Sequence, residues 1–154
     1  MNQYEAQIIL ACLISNTPQW KTRVLLNQAR LETGYFKPDL KSVFNATDRT
    51  NAFGMRCAAR NKCKNGWSIY SSVFSSTKDR LYRDTIFRDK SENAEEYIKH
   101  LKNTNYFIED GVDKGYSASL KNMVAENRKK DETMISFVIA CIGVMGFALI
   151  YFIQ

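Results

Sequence analysis

The stretch LLNQARLETGYF places one carboxylate where it could do acid chemistry. Leu25, Gln28, Ala29 and Glu32 fall at the spacing that puts them on one helix face, so Glu32 has apolar neighbours. Desolvation disfavours its carboxylate, and so does the negative end of the helix dipole in the last turn. Both raise the pKa. A carboxylic acid kept protonated near neutral pH can give its proton to a leaving oxygen, as a glycosidase general acid does. On position alone a solvated helix-end glutamate is the commoner case, so the reading depends on what else lies nearby.

Several other residues suit a sugar substrate. Asn51 and the backbone of Gly54, in NAFGMR, could hydrogen-bond N-acetyl groups, and a glycine permits close approach. Phe53 between them also reads as core. Trp67 and Tyr70 offer flat faces to sugar rings, with core packing as the competing use, and the phenol of Tyr106 could reach a scissile bond. Other chemistries have less to work with. His100 is the single histidine, which disfavours a histidine-based triad. Cys57 and Cys63 bracket CAARNKC and could close that loop as a disulfide in an oxidising place. Two sulfurs with no nearby histidine do not make a zinc site, and no metal or cofactor is expected. Cys12 and Cys141 read as small buried hydrophobes.

Four blocks in order carry a resemblance. LLNQARLETGYF is similar to the catalytic-helix signature of the lysozyme-like peptidoglycan hydrolases, specifically the glucosaminidase domain family of autolysins and flagellar rod-cap hydrolases. NAFGMR resembles that family's Asn-x-Phe-Gly block, WSIYSSVFSSTKD its aromatic-x-x-Tyr step before a helix, and NYFIEDGVDKGYSASLK its tyrosine loop followed by a basic helix. Together they cover roughly Val24 to Met123, far more specific than LETG alone. The resemblance implies a lysozyme-like helical domain with Glu32 as general acid/base. It places the functional tyrosine at Tyr106. Beside it, Tyr116 reads as packing the last helix onto the domain, and Asn51, Phe53, Gly54, Trp67 and Tyr70 are the expected substrate contacts. The implied substrate is the β-1,4 glycan strand of peptidoglycan, between N-acetylglucosamine and N-acetylmuramic acid.

A second carboxylate is harder to find. Glycosidases commonly use two, about 5 Å or 6.5–9.5 Å apart. From Phe53 through Lys78 there is no Asp or Glu, so the lobe that supplies one in many relatives is here a short basic loop. Asp48 is the better remaining candidate over Asp39, although NATDRTN also reads as a turn. A single acid leaves two mechanisms open: attack by the substrate's own acetamido group, or lytic transglycosylase chemistry that closes an anhydro ring. A catalytically inactive wall-binding or structural protein is the alternative of another class.

The elements that must position these residues read as mainly helical. An amphipathic helix spans Gln3 to Ser15, and a second runs from Pro18 to Thr33, stopped by Gly34 and Pro38. Residues 39–70 are loop-rich with a hairpin at Lys64, Asn65 and Gly66. Ser76 reads as an N-cap with Asp79 three positions on. Further helices follow Ser91 and begin near Tyr116, the last of them running on through Lys130.

The expected organisation is a glycosidase domain over 1–126, a basic linker over 127–133 and a transmembrane helix over 134–153. MISFVIACIGVMGFALIYFI is uncharged and long enough to cross a bilayer. Arg128, Lys129 and Lys130 before it favour a cytoplasmic domain, and the N-terminus lacks the basic region of a signal peptide. These features predict a single-pass protein in the internal membrane of a phage virion or the host inner membrane. The predicted partners are peptidoglycan, the lipid bilayer and other virion proteins, with no nucleic acid. The net charge of +6 also suits an anionic polymer, although a solvated basic face is commoner.

Overall fold

The computed structural model describes residues 1–39, 41–58, 61–104 and 115–153, with side chains described as far as Val144. Its axis is helix α2 (Gln19–Thr33). Val24, Leu25, Leu26 and Ala29 are fully buried, as are Asn27, Gln28 and Arg30. A helix apolar on one face and buried on the others must be surrounded. Around it lie α1 (Gln3–Ile14), the short α3 (Val43–Ala46), α5 (Ala94–Asn103), α6 (Tyr116–Glu126) and α7 (Arg128–Ile153). Helix α4 (Val73–Ile86) packs on α1. The described residues thus form seven helices and one hairpin, β1 (Lys62–Lys64) with β2 (Trp67–Ile69).

Local chemistry accounts for most boundaries. Asn2 caps α1 in a reciprocal capping box with Glu5. The hairpin pairs Lys62 with Ile69, Cys63 with Ser68 and Lys64 with Trp67. Asn65 (φ 51°) and Gly66 (φ 79°) make the two-residue turn that the Asn-Gly dipeptide favours. Helix α4 starts earlier than the Ser76 cap predicts. Ser72 is the cap, its side chain accepting from the Ser75 amide, while Gln7 of α1 takes the Phe74 amide. Ser76 lies one turn inside, buried and bonded back to the Val73 carbonyl. Two serines four apart are equivalent to a local reading; the contact from α1 decides.

The buried polar side chains are knotted together. The Arg30 guanidinium, wholly buried, holds Glu5 of α1 at 2.9 Å and Asp131 of α7 at 2.7 Å. Asn27 donates to Asp131 at 2.7 Å and accepts from Asn127 at 2.8 Å. On the other side Tyr97 donates to Asp84 at 2.6 Å, and Lys21 bridges Asp84 and Asp89.

The expected transmembrane helix is overturned. Among the described residues no helix is long and apolar enough to cross a membrane. The single-pass anchor, and the virion or host membrane location inferred from it, are therefore withdrawn, and the bilayer as partner with them. The physical reason lies in how α7 is used. Its first turn is charged and its Asp131 is ion-paired inside the domain, while Met134, Ile135 and Val138 are buried in the core. Residues that hydropathy assigns to lipid are, in this part of the helix, packed on α1 and α2. The continuous helix from Tyr116 through Lys130 is also interrupted: α6 ends at Glu126, and Asn127 turns the chain.

Candidate active site

Glu32 stands in the final turn of α2, where the helix stops abruptly. Gly34 caps it in the left-handed conformation (φ 56°, ψ 50°), and Tyr35 and Phe36 continue with φ of 61° and 62°. The Tyr35 amide bonds to the Arg30 carbonyl at 2.8 Å and the Phe36 amide to the Thr33 hydroxyl at 2.9 Å. Phe36 can then fold back against Tyr4 and Phe44. This turn ends the helix at Thr33, one residue after Glu32, and leaves the Glu32 side chain part-buried beside other elements.

Two of those elements meet the carboxyl. From α6, the Tyr116 phenol donates to Oε1 at 2.5 Å. From the loop before the hairpin, Gly54 comes so close that a Cβ there would lie 3.0 Å from Oε2. Gly54 also has φ 58°, which favours glycine whatever the space, and a Cβ there would push Oε2 from its place. Burial pushes the Glu32 pKa above the usual carboxylate value, and the Tyr116 hydrogen bond pulls the other way without cancelling it. The result is an acid biased toward its protonated form, with Oε1 fixed by a phenol and Oε2 facing a residue without a side chain.

The loop that presents Gly54 is built by Asn51. Its buried amide donates to the Met55 carbonyl at 2.8 Å and the Ser68 carbonyl at 3.0 Å, and its oxygen accepts from the Met55 amide at 2.9 Å. Asn51 thus fixes the loop that brings Gly54 against Glu32. Phe53 is 1% exposed and belongs to the core. Trp67 is half-buried with the Arg56 guanidinium 4.0 Å above its ring. The Tyr70 phenol donates to Asp79 at 2.7 Å and accepts from Asn61 at 3.2 Å. Burial first, then the Asp79 bond, push its pKa up to about 12. Cys57 and Cys63 are joined by a disulfide that closes the loop carrying Asn61.

Asp48 lies exposed at a turn with φ 55° and pairs with Lys64, not with Glu32. Tyr106 falls outside the described residues. The tyrosine found at the carboxyl is Tyr116, to which the sequence reading gave only a packing role. It sits directly after Gly115, whose φ of 80° opens α6, and that Gly-Tyr step is the local signal that could have found it. A cavity of about 440 Å³ between the end of α1, the start of α2 and α4 is lined by Lys21, Lys78, Tyr82 and Asp84 and does not include Glu32. Among the described residues no three His, Cys, Asp or Glu side chains gather as metal ligands.

No family model matches this chain, and no curated protein sequence does. The fold is similar to a solved structure of a C-terminally truncated glycoside hydrolase domain from Salmonella typhimurium FlgJ, with a TM-score of 0.55 and 20% identity. The match covers 80% of this chain and 91% of that one.

Proposed function

We propose that the chain is a glycosidase acting on the β-1,4 glycan strand of peptidoglycan, with Glu32 as its general acid and base. The observation that carries this is the Glu32 carboxyl, with a raised pKa, one oxygen held by Tyr116 and the other facing Gly54. Its position at the end of the central helix, the order of the four sequence blocks and the likeness to a glycoside hydrolase domain support the reading.

The chemistry follows from the two oxygens. Tyr116 occupies Oε1, so Oε2 is the atom placed to hand its proton to the glycosidic oxygen. The bond from that oxygen to the anomeric carbon breaks, and positive charge develops on the sugar. As Glu32 becomes a carboxylate, the Tyr116 hydrogen bond stabilises it. Glu32 then acts as base on the group that completes the displacement.

The stretch from Phe53 to Lys78, free of Asp and Glu, favours a mechanism with a single protein carboxylate. In a hydrolase the substrate acetamido oxygen attacks the anomeric carbon and water later opens the ring. In a lytic transglycosylase the muramyl hydroxyl attacks, losing its proton to Glu32. Digesting purified peptidoglycan and weighing the products separates these: reducing ends mean hydrolysis, anhydro-muramyl ends mean transglycosylation. Glu32→Gln should lose at least about a hundredfold in rate. Full activity in that variant overturns the assignment. A wild-type protein that binds walls and leaves no clearing in a zymogram would instead be a wall-binding module.

A further inference from the structure

We propose that the lobe beside Glu32 is a cationic surface that holds anionic groups carried on the glycan strand. This rests on reading Glu32 as an acid that acts on wall glycan, and it names what that glycan carries. Residues 35–70 contain seven Lys or Arg against two Asp, a surplus of five in a chain whose net charge is +6. The remainder of the chain is thus nearly neutral, and the charge is concentrated in one lobe.

The structure turns five of these cations outward, Lys37, Lys41, Arg56, Lys62 and Lys64. Lys62 and Lys64 are exposed along β1, and Arg56 is exposed with its guanidinium over the Trp67 ring. Lys41 lines a shallow depression with Asn45 and Trp67. Among the described residues no carboxylate pairs with Arg56, Lys62 or Lys41. Lys64 meets Asp48 at 3.4 Å, but both side chains are largely exposed, so the pair neutralises little. The surface also borders the acid. Gly54, against Glu32, is two residues from Arg56, a separation of at most about 7 Å along the chain. Clustered like charges without counterions repel one another and attract a polyanion. A strand whose anionic oxygens lie on these cations is held with its backbone beside Glu32. The shared chemistry is phosphate or carboxylate groups covalently linked to the glycan, as phosphodiester polymers or as peptide carboxylates.

The test is co-sedimentation of the full chain with insoluble walls that are intact, stripped of phosphodiester polymers by hydrofluoric acid, or freed of peptide by an amidase. Binding to intact walls should weaken roughly tenfold between about 50 and about 500 mM NaCl. Lys62→Glu with Lys64→Glu should weaken it roughly tenfold at low salt. Cleavage of short peptide-free, phosphate-free glycan should be unchanged in that variant, which reports that the fold and acid are intact. Loss on acid stripping assigns the phosphodiester source, and loss on peptide removal assigns the carboxylates; either supports the proposal. Binding indifferent to salt and to both substitutions overturns it, as does equally tight binding to duplex DNA. Salt-dependent wall binding with no cleavage of any glycan would overturn the catalytic reading and leave the cationic surface standing.

Discussion

Tyr116 and Gly54 make Glu32 more than a helix-end carboxylate, and each can be tested by one substitution. Tyr116→Phe removes a donor that favours the ionised form, so the Glu32 pKa should rise further and the alkaline limb of the pH–rate profile should move to higher pH. The rate should fall roughly tenfold to a hundredfold, the value of a hydrogen bond to a charged group. Gly54→Ala forces a Cβ against Oε2 and a residue into φ 58°, costing about 1–2 kcal/mol of stability and most of the activity. Glu32→Gln should raise stability while abolishing cleavage. Its folded pKa is raised, so its contribution is fully present below the unfolded value and is lost as pH rises through the folded one. A neutral amide escapes that loss, and thermal melts at neutral and acidic pH should show the gain only at neutral pH. The burial of Glu32 in the last turn of its helix was legible because its face and its position there are local properties. Tyr116 was not, since an interaction spanning 84 positions depends on how α6 crosses α2.

At the scale of elements, the helix stop at Gly34 and the Asn-Gly hairpin were readable because single residues dictate both. The start of α4 was not, because Gln7 of another helix selects Ser72 over Ser76. The lobe shows the same division. Its lack of acids is plain in the sequence, but the internal use of Asn51 and Tyr70 appears only once the hairpin closes over them. The Cys57–Cys63 disulfide ties this element down: it fixes the loop bearing Asn61, which donates to Ser68, Tyr70 and Asp79. Replacing both cysteines with serine should lower stability by about 2 kcal/mol, the chain-entropy value for so short a loop. Urea denaturation with and without reductant would measure this, the serine variant alone being insensitive to reductant.

For the molecule as a whole, α7 carried the largest error of the sequence reading. Hydropathy averages around a helix and cannot see that Met134, Ile135 and Val138 enter the core while Phe137, Ile139 and Val144 are exposed. Nor can it see that Asp131, three residues before the apolar run, is buried on Arg30. Asp131→Ala should therefore destabilise the domain by about 3–5 kcal/mol, as removing one partner of a buried pair does. Removing Glu132, whose pairs with Arg23 and Arg128 are part-exposed, should cost under about 1 kcal/mol. Glu5 adds a pH signature. Burial opposes its ionisation, but the Asn2 amide and Arg30 outweigh burial and hold its pKa below the ordinary carboxylate value. The stability it contributes is present above its unfolded pKa and lost as pH falls through the lower folded one.

The Arg30 cluster has a further consequence for the order of folding. One guanidinium takes a partner from α1 and another from α7, so the Arg30 charge cannot be buried fully paired until both helices have docked on α2. Such long-range closure is slow and comes late. During translation the segment bearing Glu32 leaves the ribosome well before the residues that complete its support. Glu32 therefore sits on a helix that gains its full buried support only once α7 has docked on it.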